Sequence, residues 1–197
     1  MEVNSVEKSK IRKHYFNLRK SLTKKDALEK SEQICQNFIQ NLLPNIHNSK
    51  DNLFSLYFDA YNEVATNSIS KYFTQNNISF SYPKIIGKNS ALKFIKYSNT
   101  AKIISSELYK DVFEIDSNDF VEPNILIIPL VSFDSHKMRL GMGGGFFDKT
   151  IDQLKSNNKN LLIVALAYDF QLFNDRLPRE NHDKKVDYIV NETQIFS

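Results

Sequence analysis

Eight consecutive residues from Asn124 to Val131, NILIIPLV, carry one polar side chain, and LLIVALAY at 161–168 repeats the pattern. Runs this short and this continuously apolar read as strands covered on both faces rather than strands with one wet face. Pro129 is expected to end the first of them or to mark a bulge, because proline cannot donate to a strand ladder. Strands of this kind belong to parallel sheets flanked by helices. The expected fold class is therefore α/β: a mostly parallel, mixed central sheet in a Rossmann-like three-layer architecture. A chain of 197 residues suffices for one such unit and can bury roughly 70% of its unfolded surface. No repeat or linker divides it, so a single domain over residues 1–197 is the simplest count.

The remaining segments fit this frame. Ile11, Tyr15 and Leu18 are spaced four and three apart among basic residues, which predicts an amphipathic helix over 6 to about 20 with a cationic outer face. Thr23 with Asp26 resembles a capping box for a second helix, whose stripe runs through Leu28, Cys35, Phe38, Ile39 and Leu42 before Pro44 closes it. LFSLYF at 53–58 reads as a strand, and Ile69, Tyr72 and Phe73 give a short helix. ISFSY at 78–82 reads as a strand closed by Pro83, and LKFIKY at 92–97 as a half-buried strand. Residues 98–123 show no clear period, and a long loop is expected after Val131. FFDKTIDQLKS is expected as a helix and VDYIV at 186–190 as a last strand.

No apolar stretch approaches the ~20 residues of a membrane span, and the basic N-terminus has no apolar region behind it of the kind a secretory signal requires. A cytoplasmic location follows as the expectation. Cys35 has no partner for a disulfide or zinc site and is expected to be core packing. A formal charge of +3 mildly favours anionic small molecules and does not single out nucleic acid.

Four of the five glycines fall in Arg139-Leu-Gly-Met-Gly-Gly-Gly-Phe-Phe-Asp148, between the most hydrophobic strand and a helix. Such a run can turn several N–H groups toward one anion, and a helix N-terminus behind it adds positive potential. The bland alternative is a packed strand-to-helix turn. Two common nucleotide motifs fail: Asp148 rather than glycine precedes Lys149-Thr150, and Phe146 stands where a dinucleotide fingerprint needs glycine.

These residues resemble the signature of the 5-formyltetrahydrofolate cyclo-ligases, also called 5,10-methenyltetrahydrofolate synthetases, and IIPLVSFDSHKMRLGMGGGFFDK carries the match. The resemblance extends to Lys8–Arg12, Tyr61-Asn-Glu-Val-Ala-Thr66, Tyr82-Pro-Lys84 and LPRENHDKKVDYIVNET at 177–193. Phe146, Phe147 and Lys149 depart from the usual Tyr-Tyr and Arg, and the family's Gly-Ile-x-Glu-Pro stretch is unrecognisable around 111–123.

The resemblance implies that Lys8, Ser9, Lys10, Ile11 and Arg12, with Arg139, Leu140, Gly141, Met142, Gly143, Gly144, Gly145, Phe146 and Phe147, bind ATP. It implies a substrate site of Arg12, Phe58, Glu63, Tyr82, Met142, Gly143, Gly144, Gly145 and Phe146, with Pro83 in its wall. Arg139 and Asp148 would be catalytic, and Asp148 and Asp183 would hold Mg2+. His182 would bond phosphate or merely orient its neighbours. For Arg139 the plain alternative is pairing with a surface carboxylate, for Asp148 a helix-dipole role, and for the phenylalanines inward packing.

The implied reaction turns 5-formyltetrahydrofolate into its 5,10-methenyl form at the expense of ATP. The implied partners are these small molecules, with no nucleic acid or membrane, and a monomer or at most a weak homodimer. Two rivals stay open: a sugar-phosphate isomerase or transferase using the glycine loop for substrate phosphate, and a nucleic-acid adaptor using the basic helix.

Overall fold

The computed structural model describes residues 2–47, 49–180 and 183–197, with backbone alone for 2–4. The chain opens with α1 (Glu2–Ser21) and α2 (Lys24–Asn37), where Thr23 caps the second helix by accepting from the Asp26 N–H. The helical path does not stop at Pro44 as expected. A π-helical turn at Phe38–Leu42 leads into α3 (Leu43–Ile46), and Pro44 sits in the first turn of α3, where a missing N–H costs nothing.

Thirteen short strands follow in chain order among the described residues: β1 (Phe54–Ser55), β2 (Phe80–Lys84), β3 (Lys93–Lys96), β4 (Ile103–Ser105), β5 (Phe113–Ile115), β6 (Phe120–Val121), β7 (Ile125–Pro129), β8 (Ser132–Asp134), β9 (Arg139–Leu140), β10 (Leu162–Leu166), β11 (Leu172–Phe173), β12 (Tyr188–Val190) and β13 (Ile195–Phe196). Two further helices, α4 (Asn67–Gln75) and α5 (Phe146–Asn157), complete the layers.

The central sheet runs β13-β12-β10-β7-β1-β2-β3-β6. The pairs β12/β10, β10/β7, β7/β1 and β1/β2 are parallel, and antiparallel pairs close both edges. The expected mixed sheet is therefore present. Taken in chain order, its five parallel strands stand second, first, third, fourth, fifth, so the direction of crossover reverses between β1 and β7. That reversal opens a crevice beyond the carboxyl ends of β1 and β7, the usual ligand position in such sheets.

Both faces of β7 and β10 are covered, which explains their continuous apolar sequence. Ile125, Ile127, Val164 and Leu166 pack with Ile34 and Phe38 of the α2 region and with Ile69 and Phe73 of α4. Leu126, Ile128, Ile163 and Ala165 meet Ile151 and Leu154 of α5. Cys35 is buried in the first of these cores, as expected.

Several local expectations need correction. Leu18 and Leu28 are exposed, at 39% and 63%. Pro83 lies inside β2 and pairs with Phe94, beyond the stretch bound to β1, where one side of the strand is free and proline is tolerated. The unreadable segment 98–123 contains the β4/β5 hairpin and β6. The long loop expected after Val131 is a second small sheet, β11-β8-β9, that presents Arg139 at the base of the glycine run.

Candidate active site

A cavity of about 870 Å³ opens at the strand reversal, walled by the loop after β1, the end of β7, the glycine loop, the start of α5 and the inward face of α1. Most residues singled out from the sequence converge on it: Lys8, Arg12, Phe58, Glu63, Arg139, Asp148, Asp183 and the whole run from Leu140 to Phe147. Four do not reach it. Ser9 and Lys10 are exposed on the outer side of α1, and Ile11 packs with Met138, Leu140 and Leu177. Tyr82 lies buried with its ring stacked on Phe58 at 4.0 Å, so Phe58 and Pro83 form that wall and Tyr82 backs it. His182 lies outside the described residues.

The inward stripe of α1 is cationic. Lys8, Arg12 and Arg19 recur at intervals of four and seven, and Lys8 and Arg19 are buried. Each finds an acceptor at a strand end or loop. Lys8 Nζ lies 2.6 Å from both Glu180 Oε2 and Asp183 Oδ2. Arg12 Nε donates to Gly141 O at 2.8 Å, and the Arg12 guanidinium lies against Gly143, where an added Cβ would stand 3.6 Å from it. Gly143 has φ +99° and Gly145 φ +67°. Both conformations favour glycine, and they let the loop turn directly into α5.

Arg139 is buried, and its Nη2 donates to Asp148 Oδ1 at 2.6 Å. Its Nε is also buried and has no hydrogen-bond partner among the described residues. Arg139 thus pairs with a carboxylate, but with one that lines the cavity rather than one on the open surface. Phe146 and Phe147 pack inward against the α5 core while bordering the cavity, and Tyr109 meets Phe146 edge-on at 5.9 Å. The inward packing of these rings is therefore present, and their edges remain in reach of the cavity.

Glu63 sits in the loop after β1, which turns through left-handed Tyr61 and Asn62 at φ +52° and +57°. Burial pushes its carboxyl up to about 7, against the opposing pull of Arg19 at 3.6 Å and the Ala60 N–H. Burial likewise raises Asp59 beside it.

Magnesium was expected at Asp148 and Asp183. Among the described residues no three His, Cys, Asp or Glu side chains cluster as a metal cage. Asp148, Asp152, Glu180 and Asp183 nevertheless all border the one cavity. Carboxylates supplying one or two ligands suit a hard cation that takes its remaining oxygens from phosphate and water. The donor chemistry fits a cation that arrives with a phosphate ligand.

Sequence reasoning passed over Arg19, Tyr109 and Glu180. Arg19 carried the one usable signal, since it falls on the same helical face as Lys8, Arg12 and Tyr15.

Residues 4–192 match the model of the 5-formyltetrahydrofolate cyclo-ligase family. The 5-formyltetrahydrofolate cyclo-ligase of Haemophilus influenzae is 29% identical over 187 residues, covering 92% of this chain and 95% of its own. That of Mycoplasma genitalium is 28% identical over 169 residues, covering 84% and 87%. The solved structure of Aquifex aeolicus 5,10-methenyltetrahydrofolate synthetase superposes with a TM-score of 0.78 at 25% identity, covering 95% of this chain and 91% of that one. The Mycoplasma pneumoniae synthetase shares the fold, with a TM-score of 0.73 at 24% identity over 94% and 99%.

Proposed function

Because this chain belongs to the 5-formyltetrahydrofolate cyclo-ligase family, we propose that its cavity binds 5-formyltetrahydrofolate and Mg-ATP side by side and closes the 5,10-methenyl ring, releasing ADP and phosphate. One observation supports this reading above others: a single cavity gathers Lys8 and Arg12, Glu63, the glycine loop, and Asp148 with Asp183 from four distant segments.

The N5 formyl group is an amide, so its carbon is a weak electrophile and its oxygen a poor leaving group. Moving the γ-phosphoryl group of ATP to the formyl oxygen gives an imidate phosphate. N10 then attacks the activated carbon and gives up its proton to solvent, and phosphate leaves with that oxygen. Phosphoryl transfer asks the protein mainly to align the partners and to stabilise charge on the equatorial oxygens. Here the loop amides from Leu140 to Phe147 and the Arg139 guanidinium provide donors, and arginine suits phosphate because its planar fork makes paired hydrogen bonds. Glu63, which only accepts when ionised, faces the amino-pyrimidinone edge of the pterin, and Phe58 and Phe146 flank the ring. Asp148 and Asp183 would hold Mg2+, which supplies charge neutralisation on the phosphates when bound. Arg139 exchanges Asp148 for phosphate oxygens as the nucleotide enters.

The sugar-phosphate reading is not favoured by the family match. Purified protein mixed with 5-formyltetrahydrofolate and Mg-ATP should form the methenyl product, followed by its absorbance, only when all three are present. No product under those conditions would refute the proposal. Asp148→Ala should lower turnover about a hundredfold or more, the size of loss typical of one well-placed charge-stabilising group, about 3 kcal/mol. Near-normal turnover of a folded Asp148→Ala protein would remove Asp148 from the mechanism.

A further inference from the structure

We propose that Arg19 is a positioning residue for folate recognition: it clamps the Glu63 loop to α1 and to the end of β7, and it supplies the counter-charge of the Glu63 carboxylate. The proposal rests on the reading that Glu63 meets the pterin.

Arg19 is 1% exposed and does not line the cavity. Burying a guanidinium costs several kcal/mol, and an apolar side chain of similar volume would pack there at no such penalty. The charge therefore needs a purpose. Its nitrogens are divided among separate elements. Nε donates to Tyr61 O at 3.0 Å, and Nη1 donates to Leu130 O, just past β7, at 3.0 Å. Nη2 donates to Met142 Sδ at 3.6 Å and forms an ion pair with Glu63 Oε1 at 3.6 Å. The clamp is reciprocal, because Asn62 Nδ2 donates back to the Arg19 and Leu22 carbonyls at 3.2 and 3.1 Å. The left-handed Tyr61–Asn62 turn is thus laced to α1 from both sides, which fixes where the Glu63 side chain emerges.

The groups around the Glu63 carboxyl come from every neighbouring element. Asp59, the Ala60 N–H and Tyr61 share its loop and Tyr57 stands at the strand end, while Tyr168, after β10, donates from its hydroxyl to the Glu63 main-chain O at 3.2 Å. Arg19 is the one cation in this set. Without it only the Ala60 N–H offsets the burial and the Asp59 charge, both of which favour the protonated, non-accepting carboxyl. Lysine would restore charge but could not serve two carbonyls and a carboxylate with one fork.

The test compares the parent protein with Arg19→Met and Arg19→Lys. Arg19→Met should raise KM for 5-formyltetrahydrofolate about 10- to 100-fold at pH 7, because a displaced and protonated Glu63 would lose its charge-assisted hydrogen bond to the pterin. Its KM for ATP should change less than the folate KM, because the contact of Arg19 with the glycine loop is a weak donation to Met142 Sδ. The acid limb of its kcat/KM profile for folate should move up by about one pH unit or more, the usual effect of losing a nearby opposite charge. Arg19→Lys should return the limb to the parental position while leaving the folate KM raised. A folded Arg19→Met protein with parental limb and parental folate KM would overturn the proposal. Should Arg19→Met not fold, a parental folate KM in Arg19→Lys would overturn it instead. Carbon-13 NMR titration of the Glu63 carboxyl, assigned by difference from Glu63→Gln, reads the counter-charge without turnover. A parent forming no methenyl product would sink the folate reading and with it the folate part of this inference, whereas an unmoved Glu63 titration in Arg19→Met would sink this inference and leave the folate reading standing.

Discussion

Replacing Glu63 by glutamine should change how stability depends on pH. The Glu63 carboxyl titrates near 7 in the folded chain rather than near 4.5, mainly because it is buried. The folded state therefore holds a proton that the unfolded state releases between these values, and stability falls as pH rises through this window. The stabilisation is full below about pH 4.5 and is gone above about pH 7. A shift of about 2.5 units corresponds to about 3 kcal/mol at 1.36 kcal/mol per unit. Glutamine mimics the protonated group at every pH, so it removes this one slope and leaves those of other carboxylates, including Asp59, in place. Urea unfolding of parent and Glu63→Gln at pH 5 and pH 8 should show the variant gaining about 2 to 3 kcal/mol relative to the parent between the two. In a chain of this size that is about 5 to 10 °C in thermal midpoint. A difference that stays flat across this range would show that the carboxyl is already ionised at pH 5 and that its burial is not what governs it.

Gly143→Ala places a side chain at φ +99° with ordinary contact distance to Arg12, so strain rather than collision sets the cost, about 1 to 3 kcal/mol. Its KM for ATP should rise about tenfold and its thermal midpoint fall by about 2 to 10 °C, and an unchanged KM would show that the loop does not shape the nucleotide site. Cys35 donates to Ala65 O at 3.2 Å, and burial pushes its thiol up to about 12. The native protein should accordingly resist a disulfide-exchange reagent at pH 8 and react once unfolded in urea. Fast labelling of native protein would contradict the buried placement.

The sheet was legible because β7 and β10 are covered on both sides, which leaves no polar alternation to misread. The segment 98–123 was not: β4 and β5 are three residues each, and Ile103 and Phe113 point outward at 48% exposure, so no period survives. Proline misled twice, at Pro44 and Pro83, because its missing N–H falls where no partner awaits it. The glycine loop was legible from composition, since a cluster of four glycines has few other causes. Lys8 and Arg12 were named through the resemblance alone and Arg19 was passed over, because amphipathic logic assigns charge to the wet face. Here carbonyls and carboxylates at the strand ends reverse that assignment for Lys8, Arg12 and Arg19. Tyr82 was mistaken for the wall because Phe58 covers it.

The pairing of Lys8 with Glu180 and Asp183 joins positions 172 and 175 residues apart. A ribosome delivers the lysine many seconds before its two acids, at about 5 to 20 residues per second. Throughout that interval the helix carrying Lys8 has neither of the countercharges it will later bury against. Synthesis that stalls before residue 180 leaves a basic, half-apolar helix searching for other acidic surfaces. The corner of the cavity where these three side chains meet is therefore complete only when the last fifth of the chain has been made.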